Sequence, residues 1–149
     1  IQELAWDAVY QASKVDQYDE DEVTAQIKKS NEQVEKYLSN YNVTLDDYLT
    51  QMNTTQEEFD QEVEKSAREN IAKKMVYEQI AKTEKLDPTD KEIQDKIDSF
   101  VTAYGVKDES ELDQAFQTNY GESAKSMISD QLRFEKVKTF LAGNVKESA

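Results

Sequence analysis

Three glycines and one proline are the only strong backbone breakers in 149 residues. A β-rich chain needs turn residues about every 8–12 positions, and this one has too few to turn a sheet. The fold class is therefore read as all-α. The length fits one domain, since domains usually run about 100–200 residues.

Lys and Arg total 18 against 32 Asp and Glu, a formal charge of −14. Hydrophobic residues make up 37%, below the roughly 45–50% of an average globular chain. A mean hydropathy of −0.89 raises the question of disorder. Eight Tyr, five Phe and one Trp at helical spacings argue against it. An elongated or lobed molecule with a thin core and much wet surface accounts for both facts.

The same composition removes functional classes. Without Cys there is no disulfide framework, thiol nucleophile or thiolate metal site. Without His, the commonest general base and transition-metal ligand is missing. A pI near 4.4 repels phosphate backbones, so no nucleic-acid partner is expected. No run approaches the roughly 18 apolar residues of a membrane span, so membrane insertion by this chain is not expected. No signal-peptide pattern is present. The chain opens on Ile1 rather than Met, and the expectation is that it is cut from a longer protein.

Start and stop signals divide the sequence into about seven helices. Ile1, Leu4, Ala8, Ala12 and Val15 form a stripe for the first, with Trp6 and Tyr10 off it. The acidic cluster Asp19-Glu20-Asp21-Glu22 opens the second, whose seam is Val23, Ile27, Val34, Leu38 and Tyr41; Asn42 ends it. Thr44 with Asp47 approximates a capping box for a short helix bearing Leu45, Tyr48, Leu49 and Met52. Thr55 with Glu58 opens a continuous helix to about Leu86, stopped by Pro88. Its Phe59, Val63, Ala67, Ile71 and Met75 are spaced by four, so the apolar stripe winds around the helix as a connecting spine would require.

Thr89 with Glu92 starts the next helix, carrying Ile93, Ile97, Phe100, Val101 and Tyr104, and Gly105 closes it. Asp108 and Gly121 bracket a short helix with Leu112, Ala115, Phe116 and Tyr120. The last helix holds Met127, Ile128, Leu132, Phe134, Val137, Phe140, Leu141 and Val145, ending near Gly143.

No constellation for catalysis emerges. The paired carboxylates, such as Asp46-Asp47 and Glu57-Glu58, lie where helices begin and read as caps and solvated faces rather than an acid–base pair. The acidic stretch near Asp16 lacks the alternating ligands and central Gly of a calcium loop. A di-iron bundle would need His. Neither metal nor cofactor is implied. The triplets Asn42-Val43-Thr44 and Asn53-Thr54-Thr55 match a glycosylation pattern but read as capping chemistry.

Several segments resemble the C-terminal domain of trigger factor. Val43-Thr44-Leu45-Asp46-Asp47-Tyr48-Leu49 followed by Met52-Asn53-Thr54-Thr55-Gln56-Glu57-Glu58-Phe59 is similar to that family's short helix, turn, threonine, acidic pair and Phe. The long helix through Ala67, Ile71, Met75, Ile80 and Ala81 continues the likeness. So do Leu86 with Pro88-Thr89-Asp90-Lys91-Glu92-Ile93 and the closing segment from Leu132 to Leu141. The resemblance implies an elongated multi-helix domain with a spine helix and arm-like hairpins, of the trigger factor C-terminal or SurA peptide-binding type. Within a single domain spanning 1–149, an N-terminal helix pair (1–42), a first arm with the long helix (43–88) and a second arm with the closing helix (89–149) are expected.

It also implies a molecular chaperone that holds unfolded or nascent polypeptide, with a ribosome link only through an N-terminal domain absent from this sequence. The opening from Trp6 to Asp21 is more similar to shortened trigger-factor-like proteins that Gram-positive bacteria anchor outside the cell. The compartment is cytoplasmic for a conventional member and extracytoplasmic, membrane-anchored, for that other kind.

Three readings stand at this point. The first is the chaperone domain, with a concave surface between the arms and Tyr48, Met52, Met75, Tyr77, Phe100 and Tyr104 as leading peptide contacts. The second is a substrate-presenting domain of a peptidyl-prolyl isomerase whose catalytic part is missing here, so that the chain itself has no catalytic residues. The third is a structural or dimerisation module.

Overall fold

The computed structural model describes residues 1–145. Among them are seven helices and no strand: α1 (Gln2–Ala12), α2 (Glu20–Ser39), α3 (Leu45–Gln51), α4 (Gln56–Glu84), α5 (Asp90–Tyr104), α6 (Glu109–Tyr120) and α7 (Ala124–Gly143). The all-α reading and the helix count hold.

The α2–α3 and α3–α4 junctions are short because each helix end there is satisfied within a few residues. Asn42 and Asn53 adopt left-handed φ values of 55° and 51°. In that conformation Val43 N–H reaches Leu38 O at 3.1 Å and Thr54 N–H reaches Leu49 O at 3.1 Å, closing carbonyls that the helix leaves open. Two residues further on, Thr44 caps α3 in a full capping box with Asp47. Thr55 does the same for α4, exchanging bonds with Glu58 at 2.9 and 3.2 Å. The two glycosylation-like triplets are therefore stop-and-restart devices. Asn supplies the left-handed residue and Thr supplies the next cap.

α4 is continuous, as its periodicity predicted, but Pro88 is not what ends it. Lys85 turns left-handed at φ 56°, and Leu86 N–H bonds to Ala81 O at 2.8 Å. The helix has already closed three residues before the proline. α2 likewise ends at Ser39, so Tyr41 lies beyond it, 64% exposed and off the expected seam.

The chain forms two compact units, Val15–Lys74 and Ile1–Lys14 with Met75 onward. In the first, Val23, Leu38, Leu49, Ala67, Ile71 and Ala72 are buried. Arg68 grips Glu20 with both terminal nitrogens, at 3.0 and 2.9 Å, and lies over the Tyr18 ring. In the second, one cluster joins Ile93 and Ile97 of α5, Leu112 and Phe116 of α6, and Ala124 and Ile128 of α7. Asp113 adds a hydrogen bond from Ala124 N–H at 2.8 Å, tying the start of α7 to α6. A further cluster gathers Trp6, Ala81 and Val137, with Phe134 edge-on to Trp6 at 4.9 Å.

The first helix corrects the sequence reading. Its buried residues are Ala5 and Trp6, while Ile1 and Leu4 stand 84% and 73% exposed. Trp6 buries a large aromatic surface against Ala81, Val137 and Phe134, so the face that carries it is the one α1 docks on α7.

Candidate functional site

Within the second unit, α5, α7 and the turn after α4 border an open groove of about 730 Å3. Leu86, Leu132 and Phe140 supply its apolar side chains; Glu92, Asp95 and Lys96 of α5 and Glu135, Lys136 and Thr139 of α7 supply the polar ones. Each part has a local cause. The left-handed Lys85 aims the chain out of α4, and Arg133 then pins the turn by bonding Asp87 at 2.7 Å. Leu86 sits between those two fixings. Glu92 is held by the capping box at Thr89, and Lys136 reaches it from α7 at 2.7 Å. The ammonium, together with the Thr89 N–H, keeps the Glu92 carboxyl below its usual range.

An aromatic cluster forms on α5 and α6. Phe116 meets Phe100 edge-on at 5.9 Å, Tyr104 at 5.9 Å and Tyr120 at 5.3 Å. The Tyr104 and Tyr120 hydroxyls are hydrogen-bonded, which raises the Tyr104 pKa. Phe116 is buried, whereas Tyr104 is 49% and Tyr120 36% exposed. The cluster is therefore anchored at its base and open at its edge. Such a half-exposed aromatic edge offers contact area at a low entropic cost of ordering.

The unit Val15–Lys74 offers a different surface. From Tyr37 to Glu64 the chain carries seven carboxylates and no Lys or Arg. Tyr37 and Tyr41 pack at 5.1 Å, 62% and 64% exposed, and Met52 is 59% exposed. Large apolar side chains left in solvent at this level mark contact surfaces when they occur together.

Residues 5–143 match the family described as the bacterial trigger factor protein C-terminus. The match runs from the first helix to the last. The chain belongs to the trigger factor C-terminal family. No curated protein and no solved structure matched it.

In this trigger factor C-terminal domain the six sequence-selected residues fall in different settings. Tyr48 and Met52 lie on α3 and its C-cap, in the acidic unit; Tyr48 is half-buried. Met75 is 41% exposed on α4. Tyr77 is packed against the Trp6 cluster, 5.2 Å from the Phe134 ring, and burial pushes its phenol pKa upward. Phe100 and Tyr104 are neighbours in the aromatic cluster, with ring centroids 5.7 Å apart.

Sequence reasoning did not find the groove. Leu86, Leu132 and Phe140 come from separated segments, and each reads locally as ordinary helix core. The nearest sequence signal was the restart from Leu86 through Glu92, which places a capped helix beside an apolar turn. Among the described residues, no helix of this domain is long and apolar enough to cross a membrane, and no group of three or more acidic residues is arranged to hold a metal.

Proposed function

We propose that this domain is a chaperone module that binds unfolded or extended polypeptide by burying apolar side chains of the client in its own exposed apolar surface. Membership of the trigger factor C-terminal family supports the reading. The observation that carries it is the groove whose apolar residues, Leu86, Leu132 and Phe140, are surrounded by charged side chains. This is the usual construction of a ligand-binding cleft, with an apolar lining for affinity and a few polar groups for orientation. Tyr48, Met52, Met75, Tyr77, Phe100 and Tyr104 are proposed as further contacts. The exposed Met52, Met75 and Tyr104 would meet the client directly, and Phe100 would support Tyr104 from the packed side.

Contacts spread over several patches are individually weak and act together, so capture is reversible. The −14 charge keeps such a surface soluble while it is empty. The test is fluorescence anisotropy with a dye-labelled, reduced and alkylated protein as client. Replacing Phe140 or Tyr104 by Ser is expected to weaken capture about two- to five-fold with helicity retained, since several contacts share the load. Undiminished capture by a variant carrying both changes would refute the assignment.

A further inference from the structure

We propose that Tyr37 and Tyr41 are a cross-linking site, two phenols that a one-electron oxidant joins into a dityrosine within the chain. The assignment is independent of the polypeptide-binding reading above.

Three observations carry it. First, the backbone holds the two rings together. Residues four apart share one side of a helix, yet α2 ends at Ser39, between them. Tyr41 stays in register because the turn is closed by hydrogen bonds. Tyr41 N–H and Val43 N–H both reach Leu38 O, at 3.0 and 3.1 Å, and Asn42 takes the left-handed conformation between them. The ring centroids then lie 5.1 Å apart at a tilt of 55°. Second, the two hydroxyls are hydrogen-bonded to each other, which also raises the Tyr37 pKa. Dityrosine joins the ring carbons next to the oxygens, so a pair whose oxygens already meet presents the carbons that must bond. Third, the rings are 62% and 64% exposed, so an oxidant reaches them and their last approach takes place in water. Tyr104 and Tyr120 also share a hydroxyl hydrogen bond. Each of those is packed against Phe116, and coupling them would repack that cluster.

The oxidant is hydrogen peroxide acting through a haem peroxidase. Each phenol loses an electron and its hydroxyl proton. One C–C bond forms between the two ring carbons, whose hydrogens then pass through water to the oxygens and restore both hydroxyls. The two electrons and two protons reduce one peroxide to two waters. Without Cys, the chain has no thiol of its own to return a tyrosyl radical to phenol. Its charge of −14 keeps two copies apart, whereas the second phenol of the pair is already in place. The product ties Tyr41 to the last turn of α2.

The experiment treats the full 149-residue chain, dilute, with a haem peroxidase and limiting peroxide, followed by trypsin and mass spectrometry. Trypsin cuts after Lys36 and Lys65, so Tyr37, Tyr41 and Tyr48 fall in one peptide, 37–65. Coupling is expected to lower the mass of that peptide by two hydrogens without joining it to another. Fragment ions from backbone cleavage between residues 37 and 41 should be lost with it. Tyr37→Phe and Tyr41→Phe should each reduce this species about ten-fold, while Tyr48→Phe and Tyr104→Phe leave it unchanged.

Persistence of the species in Tyr41→Phe, or its loss in Tyr48→Phe, would overturn the site. So would products that join two copies, or that link Tyr104 to Tyr120, in its place. An absence of coupling under conditions that convert free tyrosine to dityrosine would overturn it as well.

Discussion

Glu58 shows how much one carboxylate can do at the start of a helix. It accepts from Thr55 N–H at 2.9 Å and from the hydroxyls of Thr54 and Thr55 at 3.1 Å each. These donors, the Thr55 N–H foremost, favour the charged form and lower its pKa from 4.5. A depressed carboxylate contributes stability above its unfolded pKa and loses it as pH falls through the folded value. Urea unfolding of Glu58→Gln should therefore show a shallower loss of stability than wild type on acidification from about pH 5 downward. A different imbalance lies at Asn31, whose side-chain oxygen is buried without a hydrogen-bond partner. An apolar replacement removes that desolvation, so Asn31→Leu is expected to raise stability by up to about 1 kcal/mol in urea denaturation. Core and contact residues separate on the same assay. Leu112→Ala, at a site with no exposure, should cost about 2–5 kcal/mol, and Met52→Ala, on the surface, less than about 0.5 kcal/mol.

Among the elements, α4 is the clearest case of a boundary set by one residue. Lys85 holds a left-handed conformation that an L side chain adopts at a cost of about 1–2 kcal/mol. Lys85→Gly should recover about 0.5–1 kcal/mol, part of the relief being lost to a more flexible unfolded chain. Pro88→Ala should leave the end of α4 at Glu84, which backbone chemical shifts will register. Capping boxes, acidic first turns and glycines are local, so seven helices could be placed from the sequence. Which face each one buries is not local. In α1 two stripes compete, Ile1 with Leu4 and Ala5 with Trp6, and only the presence of α7 and Phe134 selects the second. The groove was illegible for the same reason, since Leu86 and Phe140 become neighbours only after the chain from 86 to 140 has folded. The six aromatic and Met candidates followed from residue type and from segments that resemble the arms, which mark bulk and adaptability but not whether packing leaves the side chain in water.

At the scale of the molecule, the two units differ in what holds them. The large side chains with essentially no exposure, Ile97, Leu112, Ile128 and Val137, all belong to the unit containing α5, α6 and α7. The unit Val15–Lys74 has a thinner core and the cation-free stretch from Tyr37 to Glu64, so its like charges repel. Hydrogen exchange should accordingly open α2 and α3 at lower denaturant than α5 and α7. Added salt should narrow that gap by screening the acidic unit, as the Debye length shortens to about 3 Å at 1 M. Trp6 supplies an independent view of this difference. It is the sole tryptophan, 3% exposed and enclosed with Ala81 and Val137. Emission from its indole therefore reports one unit and is silent about the other, whereas far-ultraviolet circular dichroism sees every helix. A titration in which ellipticity falls while the emission maximum stays fixed would time the two cooperative steps with no label attached.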